Sequence, residues 1–248
     1  MLKRALSRAG RGLALFLGAC GAAGAGTFDI NPVRATLTPA QAVTAITVHN
    51  GGDEDTVVQL EVLSWSQQAG KDVYGPTREI LATPPIFKLA PGGTQIVRVG
   101  LRRAPDPQRE LTYRLFLQEV PAAPKEGFEG LRVTLRMGIP VFVTPPVAAA
   151  ASLQWSAVRT PQGQISLGAS NGGNAHIQIM NIGVSLSGKE LGKLTEPSYV
   201  LAGQSRSWPP LPVNAPPGSV LRVVSRTDAG DLSADVVVEE RDGKAPGR

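Results

Sequence analysis

The side chains that could do chemistry are few. His49 and His176 are the only histidines, and they fall on strand-like runs in different halves of the chain. A histidine metal site or a Ser-His-Asp relay needs its groups within hydrogen-bond reach, and one histidine in each half offers no such convergence. Both are expected as cross-strand surface residues. Gly168-Ala169-Ser170-Asn171-Gly172 spells the nucleophile-elbow string G-x-S-x-G, but that chemistry needs a strand, a sharp turn and then a helix to present the serine. Gly173 and Asn174 follow, then another strand pattern, so a hairpin turn accounts for the string. Asp53-Glu54-Asp55 lacks the length and glycine spacing of a calcium loop and reads as a solvated turn. No G-x-x-x-x-G-K-[ST] loop is present to cradle phosphates. The expectation is a protein that is not an enzyme, with no catalytic residue, no metal, no cofactor and no small-molecule substrate.

The formal net charge of +5 suggests nucleic acid until its location is examined. Lys3, Arg4, Arg8 and Arg11 lie in the first 25 residues with no acid among them; the rest of the chain holds 21 basic and 20 acidic residues. Without a basic surplus or a Lys/Arg run, phosphate neutralisation has little to act through, and no nucleic-acid partner is expected. The basic start is followed by an apolar stretch from Gly12 to Cys20 and by small residues ending in Ala23-Gly24-Ala25, the order of a secretory signal peptide. Residues 1–25 are expected to be removed, leaving Gly26 as the first mature residue. Leu17-Gly18-Ala19-Cys20 also reads as a lipoprotein processing site, and that alternative stands open. The apolar stretch is much shorter than the ~20 residues a membrane-crossing helix needs. Cleavage after Ala25 leaves no cysteine, so an exported protein of this kind is held together by its core and not by disulfides.

What must position any site is a set of strands. Glycine and proline make 49 of 248 residues, too many breakers for long helices. Beyond residue 26, short runs of alternating Val, Ile, Leu and Thr are divided by Gly, Pro, Asn and Asp clusters at roughly 8–12-residue spacing, the pattern of an all-β sandwich. Seven runs are marked before residue 145: 28–37, 43–49, 56–65, 86–89, 94–101, 111–120 and 131–143. Thr144-Pro145-Pro146-Val147 and the alanines 148–151 interrupt the pattern, because proline cannot continue a central strand. The expected division is a first immunoglobulin-like domain over 26–145 and a second, looser β-sandwich over 146–248, its tail from Arg241 disordered.

The segment 131–143 stands apart. Its odd positions, Leu131, Val133, Leu135, Met137, Ile139, Val141 and Val143, are all apolar, while the even positions include Arg132, Thr134 and Arg136. One account is an ordinary core strand. Another follows from the long connection Pro121–Gly130 before it: a strand beside such a loop can extend past its own sheet and offer an edge to another chain.

At these residues the sequence resembles the periplasmic fimbrial chaperones of the chaperone–usher pathway. Thr83-Pro84-Pro85-Ile86-Phe87-Lys88-Leu89-Ala90-Pro91-Gly92 with Gln95–Val99, Tyr113–Pro121 and Ile139-Pro140-Val141-Phe142-Val143 carry the likeness, and the last of these is similar to the archaic branch of the family. The resemblance covers nearly all of 28–145 and rests on little beyond order and length after 147. It implies two immunoglobulin-like domains in a boomerang, a periplasmic location, pilus subunits and an outer-membrane usher as partners, and a cis bond at Thr83-Pro84. It also implies donor-strand complementation: alternate apolar residues, here Leu131, Val133, Leu135 and Met137, fill the groove of a subunit sandwich that lacks its last strand. A basic pair in the cleft holds the subunit's C-terminal carboxylate. Arg34 matches the first-strand arginine, but Pro140 stands where the family's better-known members have a lysine. The resemblance to the archaic branch points to a second arginine, and Arg114 is the expected partner, a guanidinium fork being suited to a carboxylate. The rival from another class is an exported structural or adhesive module that stays in a surface fibre.

Overall fold

The computed structural model describes residues 28–121 and 133–240; the expected signal segment 1–25, Leu131 and the tail from Arg241 lie outside the described residues. The alternating runs form eighteen strands, and no helix occurs among the described residues. Those of the first half are β1 (Phe28–Asn31), β2 (Ala35–Leu37), β3 (Val43–Asn50), β4 (Thr56–Gln68), β5 (Lys71–Pro76), β6 (Ile80–Thr83), β7 (Ile86–Leu89), β8 (Thr94–Leu101), β9 (Leu111–Val120) and β10 (Arg136–Val143). The second half holds β11 (Leu153–Arg159), β12 (Ile165–Asn171), β13 (Ile177–Leu186), β14 (Lys189–Leu194), β15 (Ser198–Val200), β16 (Ser205–Ser207), β17 (Val220–Thr227) and β18 (Gly230–Glu240).

In the first half a sheet of order β1-β3-β8-β6 packs on a sheet of order β2-β10-β9-β4-β5, with β7 also paired to β4. Alternation puts one face of each inside: Ile46, Val48, Val97 and Val99 meet Leu37, Leu115, Leu117, Val141 and Val143, all fully or almost fully buried. Burial of such side chains gives about 1.5–3 kcal/mol each, the gross term that offsets chain entropy in a sandwich with no cross-link. The second half has its own core, including Ile165, Leu167, Ile179, Ile182, Leu221 and Val223. There β18 pairs antiparallel with β17 and then parallel with β11 from Ala157↔Val238 to Arg159↔Glu240, carrying the chain from one layer to the other. Both halves are immunoglobulin-like sandwiches.

Several elements differ from the sequence reading. The run 28–37 is broken at Pro32–Arg34, where the chain leaves the first sheet for the second; Pro32 has no N–H to give to a ladder. The bonds Asn31-Pro32 and Thr83-Pro84 are both cis, the second as expected. The strands β5, β14, β15 and β16 lie where short runs with Gly, Ser or charged residues carry weak periodicity, and β6 is a four-residue run, Ile80–Thr83, too short to show a period. Gly168–Asn171 falls inside β12, with Ser170 opposite Gln154, so the serine string is strand and not a turn. The long run 131–143 becomes regular strand only from Arg136.

Candidate functional site

One edge of β10 is only partly paired. On one side it runs antiparallel to β9 from Arg136↔Gln118 to Val143↔Leu111. On the other it meets β2 in parallel only from Val141↔Ala35 to Val143↔Leu37, which leaves residues 136–140 with an open edge. The ladder fixes which amides face that edge. Glu119 N–H donates to the Leu135 carbonyl at 2.9 Å and Thr144 N–H donates to the Leu37 carbonyl at 2.9 Å; by alternation the odd positions turn their backbone groups to β9 and the even ones away from it. Pro140 sits on the outward-turned set, where a missing N–H costs no ladder bond.

The odd side chains form one row that begins inside the first domain and ends outside it. Val143, Val141 and Ile139 are buried in the core, Met137 and Leu135 are half-buried, and Val133 is 73% exposed. Leu131, the last of the expected apolar positions, lies outside the described residues. The row is thus a core face that continues beyond its own sandwich, and exposed apolar surface continuous with an open edge is the form a strand-addition site takes.

The even side chains of β10 do something else. They pass from Arg136, paired with Glu61 at 2.9 Å, through Gly138 and Pro140 to Phe142, which is fully buried. Phe142, Trp65 and Leu201 form a small apolar cluster with Tyr199 packed on it, so the outer face of this sheet is covered at one end by the second domain. The His176 ring stacks on Phe142 with centroids 3.5 Å apart and planes 6° from parallel, and its Nδ1 lies 2.7 Å from the buried Glu110 carboxylate. The expectation that His176 is a surface residue is therefore corrected. It stands just before β13, which begins at Ile177 and not at His176, and its ring is covered by the other domain. His49 does lie across a strand pair, 3.1 Å from the Thr94 hydroxyl.

Polar bonds complete the junction. Gln67 Nε2 donates to the Tyr199 carbonyl at 2.8 Å and Leu201 N–H donates to Gln67 Oε1 at 3.1 Å, while Gln67 N–H meets the Gln204 side chain. Asp72 accepts from Trp65 Nε1, Gln67 Nε2 and Arg206 Nη1 at 2.9–3.1 Å. Burial is the largest single influence on the Asp72 carboxyl and pushes it up, but the bonds from Gln67, Arg206 and Trp65 together outweigh burial and hold it below the usual carboxylate range. The β4–β5 turn fits only because residue 70 is glycine: its φ is +76°, and a Cβ there would lie 2.4 Å from Ser207 Oγ. Ser207 N–H donates to the Gly70 carbonyl at 3.1 Å.

Both expected anchor arginines stand at the mouth of this junction. Arg34 is in the bend between β1 and β2, with Nη1 3.0 Å from Asp228 Oδ2 of the second domain; its side chain is 42% exposed. Asp228 Oδ1 accepts from Gln178 N–H at 2.9 Å. Arg114 lies opposite Pro140 on β10 and Leu63 on β4, with its guanidinium carbon 4.6 Å from the Trp65 ring centroid, a cation–π contact that fixes the plane. Gly138 leaves room for it, since a Cβ at that position would lie 3.2 Å from Arg114 Nε and 3.0 Å from the Phe116 ring. No carboxylate among the described residues pairs with Arg114 within salt-bridge distance. Gln178, which Asp228 holds, lies opposite Tyr199 in the β13–β15 pair, and the Tyr199 ring abuts the Trp65 ring that Arg114 covers, so Arg34, Arg114 and Asp228 border one cleft around Tyr199. Asp228, Tyr199, Trp65 and Phe142 escaped the sequence reading. The one signal for them was that the even positions 140 and 142 are not polar where both faces of β10 are buried.

Residues 27–148 match the family model described as "Pili and flagellar-assembly chaperone, PapD N-terminal domain". Comparison with curated proteins gives no match. Among solved structures, the chain is similar to one from the CsuC–CsuE chaperone–tip adhesion subunit pre-assembly complex of the archaic Csu pili of Acinetobacter baumannii. That match has 24% identity and a TM-score of 0.66, over 86% of this chain and all of that one. It is also similar to the E. coli chaperone DraB, with 22% identity and a TM-score of 0.59 over 85% of this chain and 97% of that one. A third likeness is to a structure of the Salmonella enterica SafA pilin with the SafB chaperone, with 15% identity and a TM-score of 0.60 over 84% and 96% of the two chains.

Proposed function

Because residues 27–148 belong to the pili and flagellar-assembly chaperone family as its PapD N-terminal domain, we propose that this chaperone captures pilus subunits by lending them β10 and the residues before it. The observation that carries the reading is the row Val133, Leu135 and Met137, apolar and progressively exposed, beside the open edge over 136–140. A subunit sandwich lacking its last strand presents the complement: an apolar groove between two unpaired edges. Each side chain buried there gives about 1.5–3 kcal/mol before ordering costs. Main-chain bonds along 136–140 add register, because a one-residue slip would turn the wet even face into the groove.

The cleft supplies the end stop. Arg34 and Arg114 hold the subunit's C-terminal carboxylate, which fixes where the subunit's strand begins against β10 and so which pocket each apolar residue enters. The bound subunit then passes to an outer-membrane usher, where a competing strand displaces β10; release by exchange needs no nucleotide. A secretory signal over 1–25 fits a periplasmic site of action. The relatives crystallised with a pilin or a tip subunit support the partner class.

The competing reading, a structural module that remains in the fibre, differs in stoichiometry. Co-expression with a pilus subunit should give a one-to-one complex on gel filtration, and the finished fibre should contain none of this chain. Recovery of the chain as a stoichiometric component of sheared fibres would overturn the chaperone reading in favour of the module.

A further inference from the structure

We infer that Tyr199 is a third group of the carboxylate anchor, its phenol O–H donating from the second domain to the carboxylate that Arg34 and Arg114 grip; this rests on the subunit-binding reading above. The ring is held from three sides. It meets Trp65 edge-on with centroids 5.4 Å apart, and Phe142 and His176 at 5.6 and 5.7 Å. Its main-chain carbonyl is held by Gln67 at 2.8 Å. A ring so packed presents its hydroxyl at a fixed place, the polar tip of an otherwise apolar plug.

That place is the arginine cleft. Arg114 covers the same Trp65 ring that Tyr199 abuts, and Arg34 reaches across to Asp228 beside it. The hydroxyl has no hydrogen-bond partner of its own among the described residues, while the charges of Arg34, Arg114 and Asp228 act on it. Burial pushes the phenol up from its ordinary range, so it is a protonated donor at neutral pH.

The charge balance fits one incoming carboxylate. Two guanidiniums against the Asp228 carboxylate leave one positive charge. Asp228 takes one nitrogen of Arg34, at Nη1, and leaves the rest of the fork to point at a ligand. A carboxylate offers about four lone-pair directions, more than two partly engaged arginines fill. The arginines come from the first domain and the phenol from the second, so the ligand closes a contact between domains, and a neutral chain end would lose the charge term with both arginines and keep only a weaker, neutral phenol bond.

The test uses two fluorescent nonapeptides of alternating valine and threonine, one ending in a free carboxylate and one in a carboxamide, with binding read by anisotropy. The wild-type protein should prefer the acid. Tyr199→Phe keeps the ring packing and should melt at the wild-type temperature, lose about tenfold in affinity for the acid, the scale of a hydrogen bond to a charged group, and lose clearly less for the amide, whose carbonyl accepts only a neutral bond, so that the preference for the acid narrows. A Tyr199→Phe protein that keeps the full preference for the acid overturns the role of Tyr199 and leaves the arginine anchor standing. A wild-type protein that does not distinguish acid from amide overturns the anchor itself and Tyr199 with it.

Discussion

Val133→Asp should abolish subunit capture while leaving the chaperone's own melting temperature within about 1 °C of wild type. Val133 is 73% exposed, so the free protein loses no core contact and gains a solvated charge, a surface change of the kind that stays within about 0.5 kcal/mol. In the complex the same carboxylate would enter an apolar groove unpaired, at a cost of several kcal/mol, which corresponds to a loss of at least about a hundredfold in affinity. Val141→Asp is the internal control. Val141 lies in the same odd-numbered row, eight residues on and within β10, but is fully buried, so that substitution should unfold the first domain. Melting and subunit affinity measured on both purified variants decide the matter: a Val133→Asp protein that fails to fold, or that folds and binds normally, contradicts the donor role.

The second large effect is expected from the cleft. Arg34→Ala and Arg114→Ala should each weaken subunit capture by about tenfold, and the double variant by about a hundredfold, since each removes a charge-assisted partner of the carboxylate. The folded state should tolerate them. The Arg34–Asp228 pair is partly exposed, at 42% and 29%, and contributes about 0–1 kcal/mol, so its loss should lower the melting temperature by no more than about 4 °C. Co-purification of subunit with the chaperone, beside a thermal melt, reads both. Undiminished capture by the double variant would mean that the carboxylate is held elsewhere. Arg136 is a poor substitute, because its guanidinium is engaged by Glu61 and stacked on Phe116 outside the cleft.

How much of this was legible in the chain depends on the range of the signal. Each of the seven marked runs of the first half contains observed strand, two of them only in part, because period-two alternation is a local consequence of one buried face. The break at Pro32–Arg34 was legible although 28–37 reads as one run: the apolar residues sit at even positions in Phe28 and Ile30 and at odd ones in Val33, Ala35 and Leu37, and the proline marks the change of phase. The apolar row of β10 could be read residue by residue, whereas its change from core to exposed could not, since no pattern says where the partner strands stop. That depends on β2 beginning at Ala35 and pairing only up to Leu37. Arg34 and Arg114 were reached through family resemblance, eighty residues apart, and no spacing rule brings such positions together. Tyr199, Asp228 and the Phe142–His176 stack depend on how one domain covers the other, a relation between two sheets that leaves almost no trace in either sequence half.

Amide hydrogen exchange along β10 tests strand donation most directly. In the free chaperone the amides of Arg136 and Gly138 face the open edge and should exchange quickly, while Met137, turned to β9, should already be protected. If a subunit strand pairs with that edge, exchange at Arg136 and Gly138 should slow by at least about a hundredfold in the complex, with little change at Met137. A complex in which Arg136 and Gly138 exchange as fast as in the free protein would contradict strand donation by β10.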